Sequence, residues 1–434
     1  MGSQSKWVRI KYDGTRFIDD SGDAGNDFVG LSLVSQEEDK DEITLSFPLG
    51  YHLNEDQSKW PEDVMLLLSL LSSAPEWLND EFPEVAEELK ENAYPWEAYR
   101  WLIFDYGAHG LYRETETELS KAGRGRINWG KTIKAQRAWI SNDTPYYLDL
   151  IRSHIKLKDQ DLITYIHLYC VKLSLYHLGW LYGKYEPRPD KLDEDRKKAF
   201  QAVILDKMTH TFKEHSRRLF SYMLKVLEFK DDSPNRLPAR FGTDSFHVVW
   251  EKMIDQVFGN EDKSKYFPRG KWHLEGWQGD QEAEERDWIS DSHLTPDTIM
   301  KVGERLFILD AKYYKYGITK KVADLPATSS ITKQIIYGEY ALARHPDLSG
   351  KIYNTYLLPY DKNAETSDPD MKYVGFAYDE WLKEKDKSGW KSYDKIYTFL
   401  LDTKTLMQMS LGKIDGSEEK AKLASKILKK EHER

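Results

Sequence analysis

The stretch from Pro296 to Lys312 constrains the fold of this 434-residue chain more tightly than any other. Leu306-Phe307-Ile308-Leu309 is an unbroken apolar run, the length of a buried strand, and it ends at Asp310-Ala311-Lys312. Asp310 and Lys312 are two residues apart, so they share one face of that strand. Upstream, Lys301-Val302-Gly303-Glu304-Arg305 carries a turn signal, with Gly303 at the first central position of a type II′ turn. With Gly303-Glu304 as the two-residue loop, Met300 faces Phe307 and Asp297 faces Asp310. Register alone then sets two carboxylates side by side, with a lysine one pleat further on.

Paired hard oxygen ligands suit Mg²⁺, which binds through one or two carboxylates plus substrate phosphate and water. A metal so held stabilises charge developing on a phosphodiester and lowers the pKa of a bound water. A lysine beside it can orient or deprotonate that water, or stabilise the anionic transition state. The bland alternative makes Asp297 a turn residue and leaves Asp310 and Lys312 on an exposed strand end. A lone Asp-x-Lys is common; agreement between Pro296-Asp297, the apolar strand and the hairpin register favours the catalytic reading.

The flanks extend this pattern. Ser245 could cap a helix with an apolar face of Phe246, Val249, Trp250, Met253, Ile254, Val257 and Phe258, stopped by Gly259. Glu251 sits at the edge of that face, either within reach of a strand-end metal or as a solvated flank residue. Ser330 could cap a helix from Ile331 to Arg344, ended by His345-Pro346. Gln334 and Tyr337 share a face of it; Gln334 is the stronger candidate for substrate or water contact, and Tyr337 could equally be core. A strand over 352–358 would complete the sheet.

This order of helix, Pro-Asp strand, Asp-x-Lys strand, helix with glutamine, and strand resembles the PD-(D/E)XK nuclease superfamily. More narrowly, residues 309–317 (Leu-Asp-Ala-Lys-Tyr-Tyr-Lys-Tyr-Gly) resemble the LlaJI family of restriction endonucleases, related to the McrC subunit of modification-dependent restriction. Residues 47–53 (Phe-Pro-Leu-Gly-Tyr-His-Leu) and 125–129 (Gly-Arg-Ile-Asn-Trp) are similar to stretches of the same family. The resemblance implies Asp297 and Asp310 as metal ligands and Lys312 as the catalytic lysine; Glu251 remains the further metal-ligand candidate from its place at the helix edge. The resemblance also implies cleavage of double-stranded DNA with Mg²⁺ (Mn²⁺ as a substitute), in a restriction or phage-defence complex with a McrB-like AAA+ GTPase.

Residues 125–132 also match the phosphate-loop pattern G-x-x-x-x-G-K-[ST]. Such a loop needs a buried strand before it, and residues 112–119 are too charged for one. Ile127 and Trp129 are also bulky where backbone amides must curl around phosphate. A nucleotide-hydrolysing reading is therefore the weakest of the alternatives; a non-catalytic adaptor that stimulates an AAA+ partner is the stronger one. Lys121, Arg124, Arg126, Lys131 and Lys134, with Trp129 among them, offer a basic surface for DNA, or for the partner, or simply for solvent.

Acidic residues outnumber basic ones, 73 to 63, which excludes a polycationic coat or tail but not a basic groove. A single cysteine, Cys170, excludes a disulfide framework within the chain, and no apolar stretch approaches the roughly 20 residues of a membrane span. Without a signal region, the cytoplasm is the expected location. His210 and His215 miss the i, i+4 spacing of a helical metal pair, so they give no sign of zinc. The expected class is mixed α/β. Its parts are an N-terminal β unit (1–60), a mainly helical region carrying the basic loop at 121–137 (61–232), a nuclease domain with a central mixed sheet (235–415), and a charged helical tail (416–434).

Overall fold

A computed structural model describes residues 7–12, 16–22, 27–35, 41–91, 94–121, 125–141, 144–157, 162–184, 186–229, 239–274, 286–364, 370–384 and 389–433. The chain divides into two compact units, Met1–Ala93 with Asn235–Arg434, and Tyr94–Pro234. The second unit ends within the polar cluster at 231–235, and the first runs on past residue 60. The expected N-terminal β unit and nuclease domain belong to one body, and the second unit is inserted between them in sequence.

Two sheets build the first unit. One is antiparallel, in the order Ala239–Thr243, Val29–Ser35, Asp41–Ser46, Arg9–Tyr12, Phe17–Asp19. Its first strand comes from beyond the insertion, so the N-terminal strands do not close a sheet among themselves. The other sheet is mixed, in the order Thr298–Val302, Arg305–Ala311, Ile352–Tyr360, Ile396–Asp402, Met371–Ala377. Its two inner parallel pairs join Arg305–Ala311 to Ile352–Tyr360 and the latter to Ile396–Asp402. Both Ile352–Tyr360 and Ile396–Asp402 are buried along their whole length, as strands covered on two faces must be. The 352–358 stretch is therefore the middle of the sheet rather than its last strand.

The hairpin follows the register set by its turn, with Met300 opposite Phe307 and Thr298 opposite Leu309. Gly303 has φ +59° while Glu304 has no positive φ, the type II′ pattern. Alternation along Arg305–Ala311 sends Leu306 and Ile308 into a core with Tyr337, Ala341 and Tyr393. Two helix starts differ from expectation. Ser245 occupies the N-cap position of Phe246–Phe258, but its side chain makes no capping bond. The later helix begins at Thr328, with Ala327 as N-cap, so Ser330 lies within its first turn.

Residues 47–53 thread against the mixed sheet. Leu49 N–H donates to the Tyr313 hydroxyl at 2.6 Å, and Thr403 Oγ1 donates to Leu49 C=O at 2.8 Å. Gly50 has φ +75°, and a Cβ there would meet the Tyr360 backbone at 2.8 Å, so no larger residue fits this turn. Two stretches that resembled one family thus touch through Tyr313. The C-terminal helix Glu419–His432 buries Leu423, Ala424 and Ile427, and Lys426 Nζ donates to Met371 C=O at 3.2 Å. It is a docked helix.

The second unit contains the helices Trp96–His109, Leu162–Leu178, Glu194–His210 and Glu214–Glu228. It also contains a three-stranded antiparallel sheet, ordered Thr115–Ser120, Arg152–Leu157, Arg126–Ile127, and a hairpin of Trp139–Ser141 with Thr144–Tyr146. Cys170 is buried in its helix, where it packs. No helix among the described residues is long and apolar enough to cross a membrane.

Candidate active site

Asp310 ends the apolar strand and is 3 % exposed. Its Oδ2 lies 2.6 Å from Lys312 Nζ, the same-face neighbour one pleat on. Asp297 precedes the partner strand, and its Oδ2 accepts the Ala311 N–H at 2.8 Å. The hairpin register therefore brings Asp297 to the backbone between Asp310 and Lys312. Lys312 N–H, in turn, donates to Leu357 C=O at 2.9 Å, which ties the strand end to the central strand.

Electrostatics bind these groups to Glu251. Burial pushes the Asp297 carboxyl well above the usual range, and the charges of Asp310 and Glu251 push it further. Burial likewise lifts Glu251 to about 7; Lys263 and Lys252 oppose the shift, while Glu81 and Asp310 add to it. Desolvation works against the Lys312 ammonium, but Asp310 and Asp297 outweigh it and raise its pKa. Lys312 is thus a cation at neutral pH. The tight three-ligand clusters among the described residues lie elsewhere, at Asp105, His109, His215 and at His52, Asp361, Asp402. The Asp297, Asp310 and Glu251 group is a looser, all-oxygen arrangement.

Raised carboxyl pKa values mean that the folded chain holds protons the unfolded chain has released. That stability is fully present below about pH 4.5 and is lost as pH rises toward about 7. In EDTA, the melting temperature should fall across this window, and Glu251→Gln should flatten the fall. An unchanged slope in the variant would show that Glu251 is not the group responsible.

Gln334 is not gathered with the others. It is 1 % exposed, and its Nε2 donates to Ile308 C=O at 2.9 Å. The Asn354 amide donates to the Gln334 and Tyr393 carbonyls at 2.9 and 2.8 Å. This amide network fixes the helix Thr328–Arg344 to the sheet. Gln334→Ala should cost about 2 kcal/mol of stability through the lost buried hydrogen bond. The Michaelis constant for DNA should stay unchanged; a raised one at unaltered stability would restore the contact role. Tyr337, the other residue on that face, donates to Thr295 C=O at 2.6 Å. Burial and the three carboxylates raise its pKa, so it stays a neutral hydroxyl beside them.

Several neighbours carry no sequence signal. Glu81 bridges Lys252 and Lys263, each at 2.7 Å, and Lys263 Nζ also donates to Asp297 C=O at 3.3 Å. Lys263 and Glu81 are 182 residues apart, so no local pattern announces the pair.

The basic segment lies in the second unit. Lys121, Arg126, Trp129, Lys131 and Lys134 are exposed, Trp129 at 53 %, and Arg124 lies outside the described residues. Ile133, Trp139 and Ile140 are exposed nearby in sequence. The phosphate-loop match fails on structure. Arg126–Ile127 is itself an antiparallel strand, and Asn128 Oδ1 accepts the Lys131 N–H at 3.0 Å, taking an amide that a phosphate would need. Thr132 is fully buried, with its hydroxyl accepting the Ile151 N–H at 3.0 Å.

Known proteins share this sequence pattern. The chain is 24 % identical over 333 residues to the Type II restriction enzyme BsuMI component YdjA of Bacillus subtilis (strain 168), covering 74 % of this chain and 69 % of that one. Among solved structures, it aligns at 12 % identity with a chain of the refined half-complex from the tetradecameric assembly of Thermococcus gammatolerans McrB AAA+ hexamers with bound McrC. That alignment covers 88 % of this chain and 85 % of the other, at a TM-score of only 0.28. The sequence profile described as LlaJI restriction endonuclease matches residues 79–406, most of the chain, and on that match the protein belongs to the LlaJI restriction endonuclease family.

Proposed function

We propose that this chain is a metal-dependent DNA endonuclease of the PD-(D/E)XK type, using Mg²⁺, or Mn²⁺ in its place. The observation that carries the proposal is the convergence of Asp297, Asp310 and Glu251 into one repelling carboxylate group with Lys312 2.6 Å from Asp310. Oxygen-only donors of like charge suit a hard dication, whose binding would relieve the repulsion. Asp297 and Asp310 would hold it, with Glu251 as a further ligand. When bound, Mg²⁺ would stabilise the charge on a phosphodiester and acidify a water. Lys312, a cation by its raised pKa, donates a hydrogen bond to the attacking water or the developing oxyanion rather than taking a proton. Lys263 and Lys252, paired with Glu81, keep the excess negative charge in check.

Membership of a restriction family supports DNA as substrate. The resemblance of residues 309–317 to a family related to McrC supports a McrB-like AAA+ GTPase as partner, with this chain as the cleavage subunit. Exposed Arg126, Lys131 and Lys134 supply a surface that would neutralise phosphates. The test is plasmid cleavage by wild type and Asp310→Ala with Mg²⁺, Mn²⁺ or EDTA, alone and with the AAA+ protein and GTP. Metal-dependent cutting that Asp310→Ala abolishes is expected. Stimulation of the partner's GTPase with no cutting in any condition would make the chain an adaptor.

A further inference from the structure

The second unit brings two histidines to one carboxylate, far from any role in the hydrolytic chemistry above. Asp105 and His109 lie one turn apart on Trp96–His109, and His215 is the second residue of Glu214–Glu228. Asp105 is buried, and its Oδ1 lies 2.9 Å from His109 Nδ1 and 2.7 Å from His215 Nε2. All three ligand atoms fall within 4.8 Å of one another, and the imidazole rings are 5.0 Å apart at 65°. We propose that Asp105, His109 and His215 form a second cation site, selective for a borderline transition metal such as Zn²⁺.

Three physical features support this. First, Zn²⁺ bonds of about 2.0–2.2 Å in a tetrahedron set ligand atoms about 3.3 Å apart. The two Asp105 contacts, at 2.9 and 2.7 Å, are shorter than that spacing by roughly half an ångström, so the ligand atoms must open slightly to admit an ion. The histidine side chains, 63 % and 50 % exposed, can swing outward without disturbing a core. Second, the donor set is two imidazole nitrogens and one oxygen, which favours Zn²⁺, Co²⁺ or Ni²⁺ over Mg²⁺. It is the chemical opposite of the all-oxygen group at Asp297. Third, the neighbouring His167 does not add a nitrogen to the set. His167 is fully buried and within electrostatic reach of Asp105 and His215, and burial lowers its pKa to about 4. Its Nδ1 accepts the Tyr112 N–H at 2.9 Å, so the neutral ring carries its proton on Nε2 and cannot act as a fourth ligand there.

Metal entry requires each histidine to present a lone pair at the nitrogen now facing Asp105. A neutral ring does so by moving its proton to the other nitrogen, and a charged ring by releasing one as the metal enters. A bound ion would clamp two helices whose contacting residues are 110 apart in sequence, and would stabilise the unit by mass action.

The test uses the untagged full chain carrying Asp297→Asn and Asp310→Asn, so that the hard-ligand group does not compete. Zn²⁺ binding is measured by calorimetry in excess Mg²⁺, with Co²⁺ absorption as a check on nitrogen ligation and melting temperature recorded alongside. One tight Zn²⁺ per chain is expected. His109→Ala and His215→Gln should each weaken it by more than the roughly 10–100-fold lost when only an outer partner of a ligand is removed. Each should also abolish the Zn²⁺-induced rise in melting temperature. His109→Ala removes a mostly exposed side chain, so its fold should survive, as circular dichroism would verify. No Zn²⁺ binding, or binding unchanged in both variants, would overturn the proposal; the latter would point to His52, Asp361 and Asp402 instead.

Discussion

Asp297→Asn is expected to abolish DNA cleavage and, in the same molecule, to raise the melting temperature in EDTA. The asparagine keeps an oxygen that can accept the Ala311 N–H, now bonded at 2.8 Å, so the turn into the hairpin stays satisfied. What disappears is a carboxyl whose ionised form is opposed by burial, by Asp310 and by Glu251. Removing it above neutral pH should stabilise the fold, because the variant no longer holds an ionised carboxylate against burial and two like charges. Cleavage should fall at least about 10³-fold, since a metal ligand contributes several kcal/mol to the barrier. A variant that cuts normally would remove Asp297 from the site. One that melts early would make the carboxylate a structural element of the hairpin. Opposite signs for activity and stability are the mark of a residue held at an energetic cost for its chemistry.

Lys312→Ala should have the reverse effect on stability while also ending cleavage. Asp310 is 3 % exposed and has Lys312 at 2.6 Å as its counter-charge. Stripping one partner from a buried pair leaves a charge without compensation and costs about 3 kcal/mol, near the lower end for such pairs because Lys312 keeps some exposure. Lys312→Met, which retains much of the packing, should lose nearly as much, tying the effect to charge. Added Mn²⁺ should restore part of the stability of either variant. In the Lys312→Ala, Asp297→Asn double variant the loss from one and the gain from the other should not simply sum, with a coupling of about 1 kcal/mol or more, because both residues act on the same Asp310 charge. Chemical denaturation of the four proteins gives that number directly; strict additivity would show that Asp297 and Lys312 do not share a site.

The hairpin was legible because two local signals of different origin agreed. The apolar run fixed which residues face inward, and Gly303-Glu304 fixed the register, so Met300 met Phe307 and Asp297 approached Asp310. Helical spacing put Glu251 at the edge of an apolar face but left open whether it meets the site or solvent; it lies within electrostatic reach of Asp310. For Gln334, face-sharing with Tyr337 gives a direction but not a depth. The helix lies close enough that the amide nitrogen is given to Ile308 C=O within the sheet. The Glu81, Lys252 and Lys263 group had no local trace, since its members meet only through tertiary contact.

Domain organisation was half legible for a similar reason. The proline-containing polar cluster at 231–235 interrupts the helical period, but the earlier boundary, near residue 93, lies in a stretch where the helical pattern runs on from Pro83–Glu91 into Trp96–His109. Only a long-range pairing, Ala239–Thr243 against Val29–Ser35, reveals that the chain returns to its first body. The Asp105–His109 spacing of i, i+4 was present in the sequence, but its partner His215 lies 110 residues away from Asp105 on another helix.

The most direct measurement is Mn²⁺ binding to the free chain, followed by calorimetry at pH 7.5 with Mg²⁺ as competitor. It needs neither a cognate DNA sequence nor a partner. Wild type should bind Mn²⁺ in a way that Mg²⁺ displaces, and Asp297→Asn and Asp310→Asn should each lose that binding while remaining folded. Mg²⁺-displaceable Mn²⁺ binding that persists undiminished in both variants would contradict the assignment of a metal to the Asp297 and Asp310 carboxylates.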